Sequence, residues 1–336
     1  MRKWLGYIDQ YIIFPQQVKR RMKNYKEGTL FVFSDQALGP WVPMVANHPH
    51  VIHCHDFLAQ RSALGELTEN SSGWTGRQYQ AFIRRGFRKG RNFISVSKKT
   101  REELHRFLVL PPLISEVVYN GLNQSFNPGN VAEIRNSLST QLKIDLSMGY
   151  VLHVGGNQWY KNRKGVIEIY EAWRTKREGS LPLLMVGKMP GKELKDYADQ
   201  SVFKKDIHWL TDITDEQVRM AYAGARVFLF PSLAEGFGWP IAEAMASGCP
   251  VITTNQAPMT EVAGDAGFLI SRKPVEIEQV KAWALQSAET LNKVINFSAE
   301  ERKKVVEAGI ENAKRFNPDD ALDKIEALYK EVLKSN

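Results

Sequence analysis

Cysteine is scarce in this chain of 336 residues, and so is any long apolar run. The two cysteines, Cys54 and Cys249, lie far apart inside apolar, strand-like segments, with no CxxC and no Cys/His spacing of a metal site. That excludes a disulfide-stapled scaffold and a zinc module, and the pair reads as reduced core thiols of a cytoplasmic protein. No stretch approaches the roughly 18 consecutive apolar residues of a membrane-spanning helix. The opening MRKWLGYIDQYIIFP breaks its apolar run at Asp9, Gln10 and Pro15 and has no small-residue cleavage site, so it does not read as a secretory leader. Repeats and recognisable nucleic-acid-binding motifs are also missing. What is present, 43% hydrophobic and 24% charged residues, excludes disorder and suits ordinary cores. At roughly 150 residues per domain the length suggests two domains.

The formal charge of +8 is unevenly spread. Residues 1–148 carry 20 Lys and Arg against 11 Asp and Glu, the remainder 25 against 26. The excess gathers in Lys19, Arg20, Arg21, Lys23 and Lys26, and again in Arg84, Arg85, Arg88, Lys89 and Arg91. Such clusters suit anionic lipid or a pyrophosphate-bearing acceptor, and equally a solvated helix face. Nucleic acid is not expected as a partner.

Short β-branched or aromatic runs recur at Leu30–Ser34, Val51–His55, Phe93–Ser97 and Val117–Asn120, separated by helical stretches such as Lys98–Leu108. The second half repeats the scheme, with strands expected at Val151–Val154, Leu183–Val186, Val227–Phe230, Val251–Thr253 and Phe268–Ile270. Helices are expected between them at 163–176, 215–223 and 240–247. This alternation predicts an α/β protein of two Rossmann-like parallel-sheet domains. The segment NGLNQSFNPGN and the polar stretch after it read as the interdomain connection. The boundaries are therefore placed at 1–145, 146–316 and a C-terminal helix at 317–336 that packs back on the first domain.

In open α/β sheets ligands bind beyond the carboxyl ends of the strands. Two such ends stand out. In VLHVGGNQWYKNRKG a buried-type strand runs into Gly155 and Gly156, then Lys161, Arg163 and Lys164 before a helix; cations there suit phosphate oxygens, although a plain turn with a wet helix start fits too. In VFLFPSLAEGFGWPIAEAMASGCPVI a strand ends in a loop carrying Glu235, Gly236, Phe237 and Gly238, and Trp239 and Pro240 open the next helix, with Pro240 expected at N1. Free amides there form an anion site. Glu243, eight positions after Glu235, can accept hydrogen bonds from a vicinal diol, or simply face the helix dipole.

EGFGWPIAEAMASGCPVI, with its Glu-x7-Glu pair, resembles the signature of family-4 retaining glycosyltransferases of the GT-B fold, the glycosyltransferase group 1 enzymes. VGGNQWYKN, ARVFLFPS and EVAGDAGFLI extend the match, so that it covers residues 115–275. More thinly, so do VIHCHD, FISVSKKTREEL and VVYNGLN in the first half. The resemblance implies two Rossmann-like domains facing a cleft. It implies a retaining, metal-independent hexosyltransferase that needs no cofactor, moving a sugar from a nucleotide-diphosphate sugar to a glycan or lipid-linked acceptor in polysaccharide biosynthesis.

Carried across by position, Glu243 would hold the donor ribose and Glu235 the sugar hydroxyls. Lys161 would hold the diphosphate beside the amides of Phe237–Trp239, with Gly155, Gly156 and Gly236 in the turns, and His55 would sit across the cleft near the sugar. The Arg usual after the Gly turn is replaced by Gly156, with Arg163 or Lys164 as candidates to substitute. Family members usually open with a strand, a Gly-rich loop and a helix ahead of anything like WLGYIDQYIIFP, so the N-terminal domain is expected to lack its first βα unit. Two other readings stay open: a non-catalytic nucleotide-sugar-binding or partner subunit, and a sugar-nucleotide epimerase of the same fold.

Trp4, Leu5, Ile8, Tyr11 and Ile12 recur at helical spacing ahead of the basic run. A helix covering the sheet is the expectation. An amphipathic helix on an anionic membrane is the alternative, which would make the protein peripheral at the inner face.

Overall fold

Four short strands make the first sheet: β1 (Phe31–Phe33), β2 (His50–Cys54), β3 (Asn92–Ser95) and β4 (Ile114–Val117), all parallel and in that spatial order. The computed structural model describes all residues except 1–5, 7, 27, 123–124, 177–180 and 336, so Trp4 and Leu5, expected in the first helix, lie outside the described residues. Successive side chains of a strand point to opposite faces. Ile52, Cys54 and Phe93 accordingly enter one core with Val42, Phe57, Phe87 and Leu104. Val51 and Ile94 enter another with Ile325, Leu328 and Tyr329 of the last helix, Pro318–Lys334. His53, its imidazole pressed to about 4 mainly by burial, hydrogen-bonds the Tyr329 hydroxyl at 2.7 Å and fastens that helix.

One crossing in this unit admits no side chain. The Trp74–Phe87 helix meets the 3-10 segment Gln36–Met44 backbone to backbone. A Cβ on Gly86 would fall within the Gly39 carbonyl, and one on Gly39 within the carbonyl of Ile83. Only glycine at both positions allows this approach.

The second sheet has β5 (Val151–Val154), β6 (Leu183–Val186), β7 (Ile207–Leu210), β8 (Val227–Phe230), β9 (Val251–Thr254) and β10 (Phe268–Ile270). All pair parallel, in the order β10-β9-β8-β5-β6-β7. This is the doubly wound arrangement, in which the order reverses between β5 and β8. Val151, Leu183, Met185, Val227 and Leu229 pack against Ile167, Tyr170 and Trp173 of the Arg163–Lys176 helix and against Trp283 and Leu291 of Ile277–Ile295. β5 and β8 stay paired only at Val151–Val227 and Leu152–Phe228. Beyond that the buried His153 spans the gap, its Nδ1 donating to the Leu229 carbonyl at 3.0 Å.

The structure departs from the expectations at four points. The first unit comprises Met1–Tyr119 with Ala321–Asn336 and the second Asn120–Asp320, so the divisions fall at 119/120 and 320/321 rather than at 145 and 316. The polar stretch after Tyr119 is not a connection throughout: Asn130 caps a helix, Val131–Leu142, that buries Leu138. Arg135 of that helix donates to the Gly224 carbonyl at 2.8 Å, which fixes it to the second unit. The strand expected at Val117–Asn120 lies at Ile114–Val117, and β7 was not expected at all.

Candidate functional site

The reversal between β5 and β8 brings two loops together. After β5 the chain turns through Gly155 and Gly156 into a 3-10 turn, Trp159–Lys161, and Asn162 adopts a left-handed φ of +50° before the Arg163–Lys176 helix. The Asn162 side chain joins three pieces. Its amide donates to the Pro231 carbonyl at 2.8 Å, and its carbonyl oxygen accepts from Gly165 N at 3.2 Å. The loop after β8 is laced to the same turn: Leu233 N donates to the Tyr160 carbonyl at 2.7 Å, and Thr254 holds the Ser232 carbonyl at 2.7 Å.

Lys161 and Glu235 therefore meet. Nζ lies 2.8 Å from Oε1, with the side chains 14% and 8% exposed, and Ser232 Oγ donates to the same oxygen at 2.7 Å. The ammonium also sits 5.0 Å from the centre of the Phe230 ring and 5.4 Å from that of Tyr160, where ring faces favour a cation.

After Glu235, Gly238 takes φ +113° as the N-cap of the Trp239–Ala246 helix, a conformation that glycine adopts without strain. No side chain caps the helix start. Pro240 is the second helical residue rather than the first, and no acid occupies the first turn. Glu243 thus lies deeper than a simple partner of the helix dipole. Its Oε2 accepts from the hydroxyl of fully buried Tyr222 at 2.8 Å. Burial raises the Glu243 carboxyl above its ordinary range, while the Tyr222 hydroxyl and the Lys161 charge pull it back. Tyr222 gave no signal in the sequence.

Other expected site residues are placed differently. Phe237 is buried, 5.4 Å from Phe316 and 5.7 Å from the half-buried Trp239, so its ring belongs to the core. Arg163 is 4% exposed and turns away from Lys161: it stacks 4.9 Å from the Trp209 ring, donates to the Lys188 carbonyl at 2.8 Å and bonds Asn157. Burial lowers it to about 10. Arg163 is thus not gathered with the pair, and Lys164 lies 4.9 Å from the Tyr197 ring. A cavity of about 650 Å³ opens beside them, lined by Asn157, Trp159, Arg163, Lys164, Gly191 and Tyr197; Lys161, Glu235 and Glu243 do not line it. His55, in the first unit just beyond β2, is exposed and lies with Nε2 2.8 Å from the Ser34 carbonyl. That bond makes Nε2 the protonated nitrogen of the neutral ring and Nδ1 an acceptor. Among the described residues no group of three or more His, Cys, Asp or Glu is arranged to hold a metal ion, and no helix is long and apolar enough to cross a membrane.

Residues 149–287 match the family model described as glycosyl transferases group 1. O-antigen chain mannosyltransferase B of Escherichia coli is 30% identical over 197 residues, covering 58% of this chain and 50% of that protein. D-inositol 3-phosphate glycosyltransferase of Corynebacterium glutamicum (strain R) is 24% identical over 248 residues, covering 71% and 57%. The chain spans about half the length of the curated relatives it matches. Among solved structures, Anabaena Alr3699/HepE in complex with UDP and glucose superposes with a TM-score of 0.73 at 19% identity, over 98% of this chain and 83% of that one. WaaG, a glycosyltransferase involved in lipopolysaccharide biosynthesis, gives 0.64 at 16% identity, over 88% and 99%. In fold the chain is a GT-B protein, and its residues 149–287 carry the signature of the group 1 glycosyl transferases.

Proposed function

We propose that the chain is a family-4 retaining glycosyltransferase that transfers a hexosyl group from a nucleoside-diphosphate sugar to a glycan or lipid-linked acceptor, without a metal or cofactor. The observation that carries this reading is the Lys161–Glu235 pair at the switch point of the second sheet, with Glu243 on the adjoining helix. Lys161 binds the diphosphate, assisted by amides at the start of the Trp239–Ala246 helix. Glu243 accepts hydrogen bonds from the ribose diol, and Glu235 binds the sugar hydroxyls.

Negative charge develops on the departing nucleoside diphosphate as the anomeric bond breaks. A fixed cation and preorganised amides lower that barrier, by roughly 3 kcal/mol for each donor aimed at the charge. The leaving phosphate takes the acceptor's proton, so no separate base is required. The similarity to O-antigen chain mannosyltransferase B supports a hexose donor and a place in polysaccharide biosynthesis.

Thermal stabilisation by a panel of nucleoside diphosphates and their sugars tests the site. A ligand at 100 times its Kd adds about 2.7 kcal/mol, which is roughly 2–4 °C for domains of this size. One nucleotide should stabilise the wild type and leave Glu243→Ala unmoved. If none stabilises the wild type, the donor site as described is wrong.

A further inference from the structure

Arg163 is a positive charge held almost wholly out of water with no carboxylate beside it. It is buried, burial alone lowers its basicity, and it forms no ion pair with the described residues. Buried charges are as a rule paired, because leaving water costs more than one ring contact returns. Its donors are unevenly used. Nη1 is spent on the Lys188 carbonyl and on Asn157, whereas Nε and Nη2 are both buried without a hydrogen-bond partner among the described residues. These two nitrogens form one edge of the guanidinium, whose parallel N–H bonds match the two oxygens of a carboxylate or phosphate. The Trp209 ring lies 4.9 Å from the guanidinium carbon and holds its plane, so the direction of that edge is fixed.

The cavity of about 650 Å³ that Arg163 lines has the size of a site for a small organic ligand, well beyond a bare ion. Gly191, also in its lining, opens the Lys192–Gln200 helix with no side-chain cap, so amides of that helix start favour an anion there. Lys164 and Lys192 add their charges, and Trp159 and Tyr197 bring rings to the walls. The exposed Glu193 and Asp196, the acids of the lining, are acceptors for hydroxyl groups. Nε and Nη2 are out of contact with water, and a ligand reaches them by displacing exposed lining side chains such as Gln158. Lys161, Glu235 and Glu243 do not line this cavity, which sets it apart from the donor site proposed above.

We propose that the Arg163 cavity binds a saccharide bearing a carboxylate or phosphate, as a ligand additional to the donor nucleotide. The oxyanion takes the Nε–Nη2 edge and the polyol ring fills the space between the aromatic and acidic walls. All of the lining lies within the second unit. Binding here requires neither donor nor catalysis, so this site and the donor site can fail separately.

The test is calorimetric titration of the full chain with glucuronate, glucose 6-phosphate, inorganic phosphate and, as the neutral control, glucose. At least one of the two acidic sugars should bind about tenfold or more tightly than both glucose and inorganic phosphate, and which of them does so separates carboxylate from phosphate. Arg163→Lys keeps the charge but not the forked edge and should lose about tenfold or more. Gly191→Asp brings a carboxylate to the helix start, where a Cβ meets open space and the new side chain can cap the helix. It should lose binding to a similar degree while melting no lower than the wild type. Should Arg163→Lys melt early, Gly191→Asp and Lys192→Gln decide. Glu243→Ala, and an excess of uridine, guanosine or adenosine diphosphate, should leave the binding unchanged. A wild type that binds neither acidic sugar overturns the proposal, as do variants that bind like the wild type. Inorganic phosphate binding as tightly as the sugars would reduce the cavity to a site for a bare ion and overturn the saccharide. Loss of binding in Glu243→Ala or under excess nucleotide would put the sugar in the donor site instead.

Discussion

Lys161 and Glu235, 74 positions apart in sequence, neutralise one another across 2.8 Å at the carboxyl ends of β5 and β8. In the proposed reading these are the groups for the donor's phosphate and for its sugar. An arriving diphosphate therefore competes with Glu235 for the ammonium, and by winning it frees the carboxylate for the hydroxyls. Glu235→Gln removes the competitor. This variant should bind a nucleoside diphosphate at least as tightly as the wild type while losing about a hundredfold or more in turnover. Lys161→Met should cost roughly 3 kcal/mol of stability, because it breaks the ion pair with Glu235 at a nearly buried place. Calorimetric titration with the nucleotide and urea unfolding read the two effects, and weaker nucleotide binding by Glu235→Gln would refute the competition.

Acidification should weaken nucleotide binding through Glu243. Burial lifts its carboxyl above the ordinary 4.5, so the proton returns at a higher pH than for an exposed glutamate, and a protonated carboxyl is a poorer acceptor for a ribose diol. The Tyr222 hydroxyl opposes that rise, hence Tyr222→Phe should move the loss of binding to still higher pH. The sign for stability is the reverse of a paired carboxylate: the folded state holds this proton more tightly than the unfolded chain, so the penalty of burying the charge grows as pH rises through the window above 4.5. Binding measured across that window should be flat for Glu243→Gln. A wild-type curve without the acidic fall would remove Glu243 from the ribose.

Asn162 is expected to matter by holding two loops together rather than by touching a ligand. Asn162→Ala loses the bonds to Pro231 and Gly165 and puts a Cβ-bearing residue of low left-handed preference at φ +50°, which together should cost about 2–3 kcal/mol. Asn162→Gly keeps the conformation free of strain and should lose less. Urea unfolding of the two variants orders them, and equal losses would show that the bonds rather than the left-handed turn are at stake.

The central strands were legible in the sequence because they are buried on both faces: Val151–Val154, Leu183–Val186 and Val227–Phe230 are almost unbroken apolar runs. The edges were not. β7 reads Ile-His-Trp-Leu and β4 Ile-Ser-Glu-Val, mixed patterns that suit a strand with one side in water. The Val131–Leu142 helix escaped notice for a similar reason, since Leu138 is its buried residue and the rest is polar. At the site, the spacing of Glu235 and Glu243 was plain, whereas the meeting of Lys161 with Glu235 and of Tyr222 with Glu243 depends on strand order. Arg163 shows the converse: a cation at a helix start reads the same whether it points to a ligand or lies against Trp209.

Gly39 and Gly86 constrain the molecule in a way that no side chain does. Their clash partners are carbonyls, which cannot be trimmed, so a methyl gained at one position has no compensating change at the other. A lineage that acquires alanine at either must tilt the Trp74–Phe87 helix, and Trp74 and Phe82 would swing with it. The crossing thus sets the bearing of the whole helix, and drift at either glycine would move every side chain on it as one piece.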